Sequence, residues 1–373
     1  MIALVPNTWH GATAAAAAST VLPRPAVRCC TAPPEETDSD AWQFKLLLLA
    51  VAVGYGTNFP VGRLMNEALP AAASTSGRFL LAALALSPFI SRLDRRLIWP
   101  AVATGLCDGI GYSAQSLALC DTAAAKVSFL GALTVVVVPC LSAALDGKRL
   151  GLASAPQVWL AALLTLGGVG LLEIGDSLDA LRAGGVAAGD LWSIVQALGF
   201  GTSFYLIGRL ISEDDDGAGA DQVLPVTAVN VATVAALSAL WAVCDGCGVG
   251  PLAASSSAGW LVDAGTRDAF ALPGALRGDS GGGLLWTGLV TTALVRVGET
   301  KGLTRVPQSA ASVIVATEPL WASAFGLLLL GEGLDPQCVV GGALVVAACV
   351  VSGLEPAAVR AALPFLPGGV RSR

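Results

Sequence analysis

The stretch GYGTNFPVGRL at residues 54–64 returns as GFGTSFYLIGRL at residues 199–210. Both copies read glycine, an aromatic residue, Gly-Thr, a small polar residue and Phe, and both end on Gly-Arg-Leu after spacers that differ by one residue. A second pair of similar stretches is FLGALTVVVVP, which ends at Pro139, and SAASVIVATEP, which ends at Pro319. The chain therefore contains two similar halves.

The composition is that of a protein embedded in lipid. Of the 373 residues, 54% are hydrophobic and only 13% are charged, and the mean hydropathy is +0.71. Soluble domains contain about 25% charged residues. Apolar runs near the length of about 20 residues that crosses a bilayer recur along the chain, and in lipid such runs must be helices, because only internal hydrogen bonds satisfy the backbone. We predict ten spans, at 42–64, 70–90, 97–119, 123–145, 157–174, 189–211, 223–244, 284–302, 306–330 and 337–354.

Ten spans in two similar halves give five spans to each half. A half with an odd number of crossings ends on the opposite side from its start, so its copy must lie upside down in the membrane. The predicted fold class is therefore an all-α integral membrane protein with ten transmembrane helices as two inverted five-helix repeats, an architecture common among secondary transporters. The distribution of basic residues over the loops places Arg63 and Arg209 on opposite sides.

The first forty residues differ in composition from the rest. They are rich in Ala, Ser and Thr and carry no acidic residue before Glu35, which is typical of an organelle transit peptide. The sequence thus predicts an integral multi-pass protein of the plastid (chloroplast) envelope. The predicted segments are a transit peptide at 1–40, a first repeat at 41–175, a second repeat at 186–355 with a loop insertion at about 245–282, and a tail at 356–373.

Four stretches carry a resemblance to a known family. They are SGRFLLAALAL and KVSFLGALTVVVVPCLSAAL in the first half, and GDLWSIVQALGFGTSFYLIGRL and SAASVIVATEPLWASAFGLLLLGEGLDPQCVVGGALVV in the second. The chain resembles the EamA-domain branch of the drug/metabolite transporter superfamily. The resemblance implies a ten-helix bundle that carries small metabolites, by exchange or coupled to an ion. The first half departs from the pattern, because Val138 stands where the second half has Glu318, and DGKRL at 146–150 replaces Gly-Glu-Arg-Leu.

Polar residues within the spans are the candidates for a binding site, because an ionisable group at this depth normally faces a cavity or a partner. Arg296 and Glu299 share a helix face at i, i+3 and could pair, or both could reach the interface. Glu318 is the candidate proton or amine site, with helix capping beside Pro319 as the alternative. For the neutral residues interhelical bonding is the alternative. The predicted substrate-binding residues are Asn58, Arg78, Gln115, Gln196, Arg296, Glu299 and Glu318; Asp108 and Lys126 are weaker candidates.

Two short motifs suggest enzymes but lack the partners that their chemistry needs. GDSGG at 278–282 resembles the surroundings of a serine nucleophile, yet His10 is the single histidine of the chain and lies in the predicted transit peptide. CDGC at 244–247 has a redox spacing without a thioredoxin-like βαβ unit around it. We therefore predict no catalytic residues, no metal site and no cofactor.

The leading hypothesis is a secondary transporter of a small organic metabolite that works by alternating access. The partners expected with it are the lipid bilayer, a coupling proton or counter-substrate, and a second copy if the protein forms a homodimer. The net charge of −6 comes largely from short acidic loops and indicates no nucleic-acid partner. The alternatives are a membrane-embedded lipid-modifying enzyme and a non-transporting membrane scaffold or sensor.

Overall fold

The protein is helical throughout the residues that its computed structural model describes. These are residues 38–146, 155–183, 188–212, 219–249, 259–262, 279–303, 314–315, 317–333, 336–352, 354 and 356–362. The predicted transit segment, apart from its last three residues, lies outside this part of the chain, as does most of the predicted insertion at 245–282.

The first half contains seven α-helices and one 3₁₀ turn within the described residues. The turn, Arg95–Leu97, is capped by Asp94 and leads into the fourth helix. The helices are α1 (Asp38–Gly56), α2 (Asn58–Ala68), α3 (Ala71–Ile90), α4 (Ile98–Asp121), α5 (Ala124–Gly131), α6 (Thr134–Asp146) and α7 (Pro156–Ala183).

The second half also contains seven α-helices within its described residues. A π-helical segment, Trp286–Leu294, joins two of its helices into one apolar stretch. The helices are α8 (Ala188–Ser212), α9 (Gly219–Gly246), α10 (Asp279–Leu285), α11 (Val295–Leu303), α12 (Glu318–Leu330), α13 (Pro336–Ser352) and α14 (Pro356–Ala362).

The helices follow the predicted spans closely, and the predicted fold class is confirmed. Spans two, three, five, six, seven and ten are single helices, whereas spans one and four are each broken into two. The first part of span nine lies outside the described residues. By length and composition, four described segments qualify as membrane spans, and Glu318–Leu330 and Val339–Val351 are shorter apolar helices. The four are Trp42–Ala68, Ala71–Ile90, Ala124–Leu145 and Asp221–Gly246.

Each interruption of an apolar stretch is accompanied by a threonine. The hydroxyls of Thr57, Thr134 and Thr317 donate to the backbone carbonyls three residues earlier, at 2.6, 2.9 and 2.7 Å respectively. Such side-chain bonds compete with the helical ladder and bend helices. Thr57 separates α1 from α2, Thr134 begins α6, and Thr317 precedes α12. Thr134 and Thr317 lie five and two residues before Pro139 and Pro319, the prolines that end the second pair of similar stretches.

Helices of the first half pack along helices of the second half: α3 against α9, α4 against α8 and α7 against α13. Glycine permits the closest of these approaches. A methyl group on Gly199 of α8 would lie 2.8 Å from the backbone nitrogen of Gly111 on α4, and one on Gly168 of α7 would lie 2.6 Å from the carbonyl oxygen of Gly341 on α13. The small-residue faces are therefore packing surfaces. Large apolar side chains such as Leu84 and Leu328 point outward, as expected for a lipid-facing surface.

Candidate functional site

Arg296 lies in a buried polar cluster that joins the two halves. Its Nη2 donates a hydrogen bond to the Tyr112 hydroxyl at 2.9 Å, and its Nη1 lies 3.5 Å from Glu299 Oε2, one turn further along α11. A second carboxylate, that of Asp108 on α4, lies 4.0 Å from Nη2. The charge of Arg296 is thus compensated by carboxylates at a depth where an unpaired charge is costly.

Further hydrogen bonds hold both of these carboxylates. The Tyr55 hydroxyl donates to Glu299 Oε2 at 2.7 Å, and Asn230 Nδ2 donates to Asp108 Oδ2 at 2.8 Å. Asn230 also donates to the Thr104 hydroxyl at 3.1 Å. A buried network whose members are bonded to one another holds its side chains in place. The Arg296 cluster is therefore suited to holding α1, α4, α9 and α11 together.

Arg78 on α3 has different surroundings, although it is only 6% exposed. Its guanidinium carbon lies 4.7 Å from the centroid of the Phe79 ring and 5.0 Å from that of Tyr112. Its Nε is buried without a hydrogen-bond partner in the described structure, and none of the ion pairs among the described residues includes it. Because arginine keeps its proton in proteins, this site holds a positive charge that no carboxylate among the described residues contacts directly.

A narrow pocket lies beside Arg78, between α2, α3 and α4. Its wall includes Arg78, Tyr112, Gln115 and the apolar side chains of Met65 and Leu119. The pocket is therefore narrow, part apolar and part polar, with one cationic group.

The pocket also contains a polar group whose members bond to one another. Ser74 and Ser116 donate to Asn66 Oδ1 at 2.8 and 3.3 Å, and Asn66 Nδ2 donates to the Ser116 carbonyl at 2.7 Å. Gln115 is only 5% exposed, and its side chain makes no hydrogen bond to the described residues. Arg78 and Gln115 are thus polar groups of the pocket that retain hydrogen-bonding capacity for a ligand.

The other predicted site residues lie outside this pocket. Asn58 accepts a short hydrogen bond from the Thr291 hydroxyl in the π-helical segment, which is the interhelical role considered for it. Gln196, only 2% exposed, packs against Gly131 at the break in span four, and its Oε1 has no partner in the described structure. Glu318 is the first residue of α12 and interacts electrostatically with Glu299 and Arg296. The structure therefore brings Arg78 and Gln115 together and places the Arg296 cluster next to them through Tyr112.

A second polar group lies where α4 ends and α5 begins. Arg63 Nη1 donates to Glu332 Oε1 and to the Thr122 carbonyl, both at 3.1 Å. The Glu332 carboxylate also accepts from the backbone N–H groups of Ala124 and Ala125, at 2.8 and 3.3 Å. Because the N-cap of α5 has no side-chain hydrogen bond of its own, Glu332 supplies the cap from the other half of the chain.

Lys126 makes a second link at the same place. Its Nζ lies 3.1 Å from Asp190 Oδ1 in the first turn of α8, and the Thr122 hydroxyl lies within 3.4 Å of the same oxygen. Lys126 thus belongs to an ion pair between the halves at this end of the bundle, away from the Arg78 pocket. We call Arg63, Glu332, Lys126 and Asp190 the end clamp.

Sequence reasoning missed the two tyrosines and Glu332. Tyr55 and Tyr112 are two of only three tyrosines in the chain, and both lie within apolar spans. Tyrosine is more usual at the membrane interface. Two tyrosines within the spans could therefore have been recognised as candidate site residues. Glu332 was visible as the Gly-Glu that ends the apolar run of span nine, but its partner in the other half could not be inferred.

The two short motifs have no catalytic setting in the described residues. Cys244 and Cys247 are both free thiols near the end of α9. Asp279 and Ser280 begin α10, and Gly278 lies outside the described part of the chain.

The structure is an all-helical bundle of two sequence-related halves with buried charged groups between apolar helices. This arrangement is typical of multi-pass membrane transport proteins. The model of the EamA-like transporter family matches residues 44–174 and again 187–354, which together make up most of the chain. The chain belongs to this family, within the drug/metabolite transporter superfamily, and contains two EamA domains. The family is one of membrane transporters and not of enzymes, as predicted.

Two individual comparisons agree with the family assignment. The uncharacterized transporter YwfM of Bacillus subtilis (strain 168) is 39% identical over 72 residues, which are 19% of this chain. The match spans only about a quarter (24%) of that relative's length. A crystal structure of a protein that is 16% identical superposes with a TM-score of 0.53, over 83% of this chain and 97% of the other. At this identity the likeness concerns the fold alone.

Proposed function

We propose that the protein is a secondary transporter that moves a small organic metabolite by alternating access of two inverted halves. The observation that carries this proposal is the end clamp. Both of its ion pairs, Arg63–Glu332 and Lys126–Asp190, join a residue of the first half to a residue of the second at one end of the bundle. An interface of this kind can be made in one state and broken in the other.

The opposite end of the bundle carries different charges in the repeated sequence. Arg209 corresponds to Arg63, and Lys148 of DGKRL stands where the second half has Glu332. Both side chains lie outside the described structure. Where one half has the oppositely charged Arg63 and Glu332, the repeated sequence therefore has two cations at the corresponding positions.

The broken spans supply the deformable elements that such a movement needs. Discontinuous helices at corresponding positions of two inverted halves are typical of transporter binding regions. Span four is interrupted near Thr134, α12 of span nine begins directly after Thr317, and the π-helical segment Trp286–Leu294 lies in span eight. Single π-helical turns often occur at functional sites.

Glu318 is our candidate for the coupling group. It begins α12 directly after the break at Thr317 and interacts electrostatically with Glu299 and Arg296. A carboxylate at this position can bind a proton or the amine of a substrate, and either event changes the charge balance beside the Arg296 cluster. The first prediction therefore concerns Glu318.

The test is uptake by proteoliposomes that contain the purified protein, loaded from a mixture of metabolites and read out by mass spectrometry. We expect selective accumulation by wild type, and a loss of at least about tenfold in Glu318→Gln with unchanged folded yield, corresponding to about 1.4 kcal/mol. Glu67→Gln is the matched control, because Glu67 is an exposed glutamate at the end of α2. Wild-type vesicles that accumulate nothing above protein-free vesicles would favour the scaffold or sensor.

We also propose that the protein resides in the plastid envelope. The composition of residues 1–40 supports this proposal. Fusion of these forty residues to a fluorescent protein should direct it to plastids in plant or algal cells, and a cytosolic fusion would contradict the assignment.

A further inference from the structure

We propose that the Arg78 pocket binds a carboxylate group, and that the cargo of this transporter is an organic compound with a single carboxylate at its recognised end. This inference rests on the proposed transport function and adds the substrate class to it. Its basis is a comparison of charges and hydrogen bonds between Arg78 and its neighbours.

The charge count identifies Arg78 as the group available to an anion. Arg296 already has the carboxylates of Glu299 and Asp108 within 3.5 and 4.0 Å. No ion pair among the described residues includes Arg78, which is more deeply buried than Arg296. A buried cation without a counter-charge is unfavourable at membrane depth, and an anion that enters the pocket relieves that cost.

The geometry of the guanidinium determines how the anion would bind. The rings of Phe79 and Tyr112 contact the Arg78 guanidinium at 4.7 and 5.0 Å from their centroids, so the rings take up its π surface. Its N–H groups lie in the guanidinium plane, and the Nε–H has no partner in the described structure. Such an edge suits a carboxylate, which can accept two parallel N–H bonds.

Gln115 adds a neutral contact to the same pocket. Its side-chain amide is free of hydrogen bonds to described residues and can donate to a carboxylate oxygen that Arg78 holds. The neighbouring Asn66, Ser74 and Ser116 already bond to one another. The apolar wall at Met65 and Leu119 suits the hydrocarbon part of the cargo.

Charge and size both favour a carboxylate over a phosphate. One uncompensated guanidinium balances one negative charge, whereas a doubly charged phosphate would leave a surplus charge at a depth where it is costly. The pocket is also narrow, so it must open less to admit a flat carboxylate than to admit a tetrahedral phosphate. We therefore expect a singly charged anion to be preferred.

The experiment measures thermal unfolding of the purified full-length protein in detergent while the ligand is titrated at constant ionic strength. A ligand that binds the folded state raises the unfolding temperature in proportion to its affinity. The probes are propionate, its uncharged analogue propionamide, and inorganic phosphate. We expect propionate to stabilise wild type in a saturable manner, propionamide to have no effect, and phosphate to have a smaller effect than propionate.

Variants locate the effect at the pocket. Arg78→Gln should weaken the apparent propionate affinity at least about tenfold, and Gln115→Leu should weaken it by about threefold to tenfold, in keeping with the loss of hydrogen bonds to a charged group. Arg92→Gln is the matched control, because Arg92 also stacks on a phenylalanine, Phe89 at 5.7 Å, but is exposed and remote from the pocket. The control should keep the wild-type response.

The outcomes separate this inference from the function on which it rests. An unchanged propionate response in both pocket variants, or a stronger response to phosphate or propionamide, overturns the carboxylate pocket. Vesicles that take up only neutral or cationic metabolites leave transport in place and overturn the substrate class. An Arg78-dependent propionate response in a protein that moves no metabolite supports the pocket and overturns the transport function.

Discussion

Two arginines lie close together in this bundle and share Tyr112, yet their surroundings are opposite. Arg296 donates to the Tyr112 hydroxyl and has two carboxylates within 4.0 Å. Arg78 lies against the Tyr112 ring with an unpartnered Nε and no carboxylate in an ion pair with it among the described residues. A buried charge with its partners supports the fold, whereas a buried charge without them is available to a ligand.

The largest expected effect is on stability, in Arg296→Gln. Removal of this guanidinium leaves Asp108 and Glu299 as buried carboxylates without their cation, and breaking a buried pair in this way costs about 3–5 kcal/mol. We expect a strong fall in the unfolding temperature and in the monodisperse yield in detergent. Arg78→Gln should change the free energy of unfolding by about 1 kcal/mol or less, because it removes an uncompensated charge together with its ring contacts. Equal destabilisation of the two variants would contradict the different roles assigned to Arg296 and Arg78.

A double variant sharpens the same result. Glu299→Gln in the Arg296→Gln background removes one of the two stranded charges and keeps an acceptor for the Tyr55 hydroxyl. We expect it to restore about 1–3 kcal/mol of the lost stability, the usual size of a coupling between contacting groups. Additive losses would mean that Arg296 and Glu299 do not act as a pair.

The smallest expected effects come from Tyr112, which serves both arginines. Tyr112→Phe removes the hydroxyl that accepts from Arg296 and should cost about 0.5–1.5 kcal/mol of stability. It keeps the ring beside Arg78, so the propionate affinity should stay at the wild-type level. Tyr112→Leu removes the ring and should weaken propionate binding several-fold. The same propionate titration measures the affinity of both variants. A greater loss of affinity in Tyr112→Phe than in Tyr112→Leu would contradict the roles assigned to the hydroxyl and the ring.

Much of the fold could be predicted because the apolar runs and the internal repeat are local features of the sequence. The starts and ends of α3, α4 and α8 lie within two residues of the predicted spans. The break at Thr57 could not be predicted, since it depends on a side chain that bonds to its own backbone. The same holds for the π-helical segment, whose Thr291 bonds to Asn58 across 233 positions of sequence.

Part of the candidate site could likewise be predicted from the sequence, and part could not. The pairing of Arg296 with Glu299 could be predicted from their spacing of three residues on one helix. The lack of a partner for Arg78 could not, because it depends on which side chains of α4 and of the second half lie near it. Glu332 likewise acts on α5, more than 200 positions away in the chain, and no local pattern shows that contact.

The central claim is that the two halves lie inverted in the membrane, and side-specific labelling tests it most directly. Single cysteines replace Glu67, at the end of α2, and Ser212, at the end of α8, in a background from which the nine native cysteines are removed. These positions follow the two copies of the repeated stretch. We predict that a membrane-impermeant maleimide labels the cysteine at 67 in intact isolated plastids and the cysteine at 212 only after permeabilisation. Labelling of both positions from the same side would contradict the inverted repeat and the alternating access that depends on it.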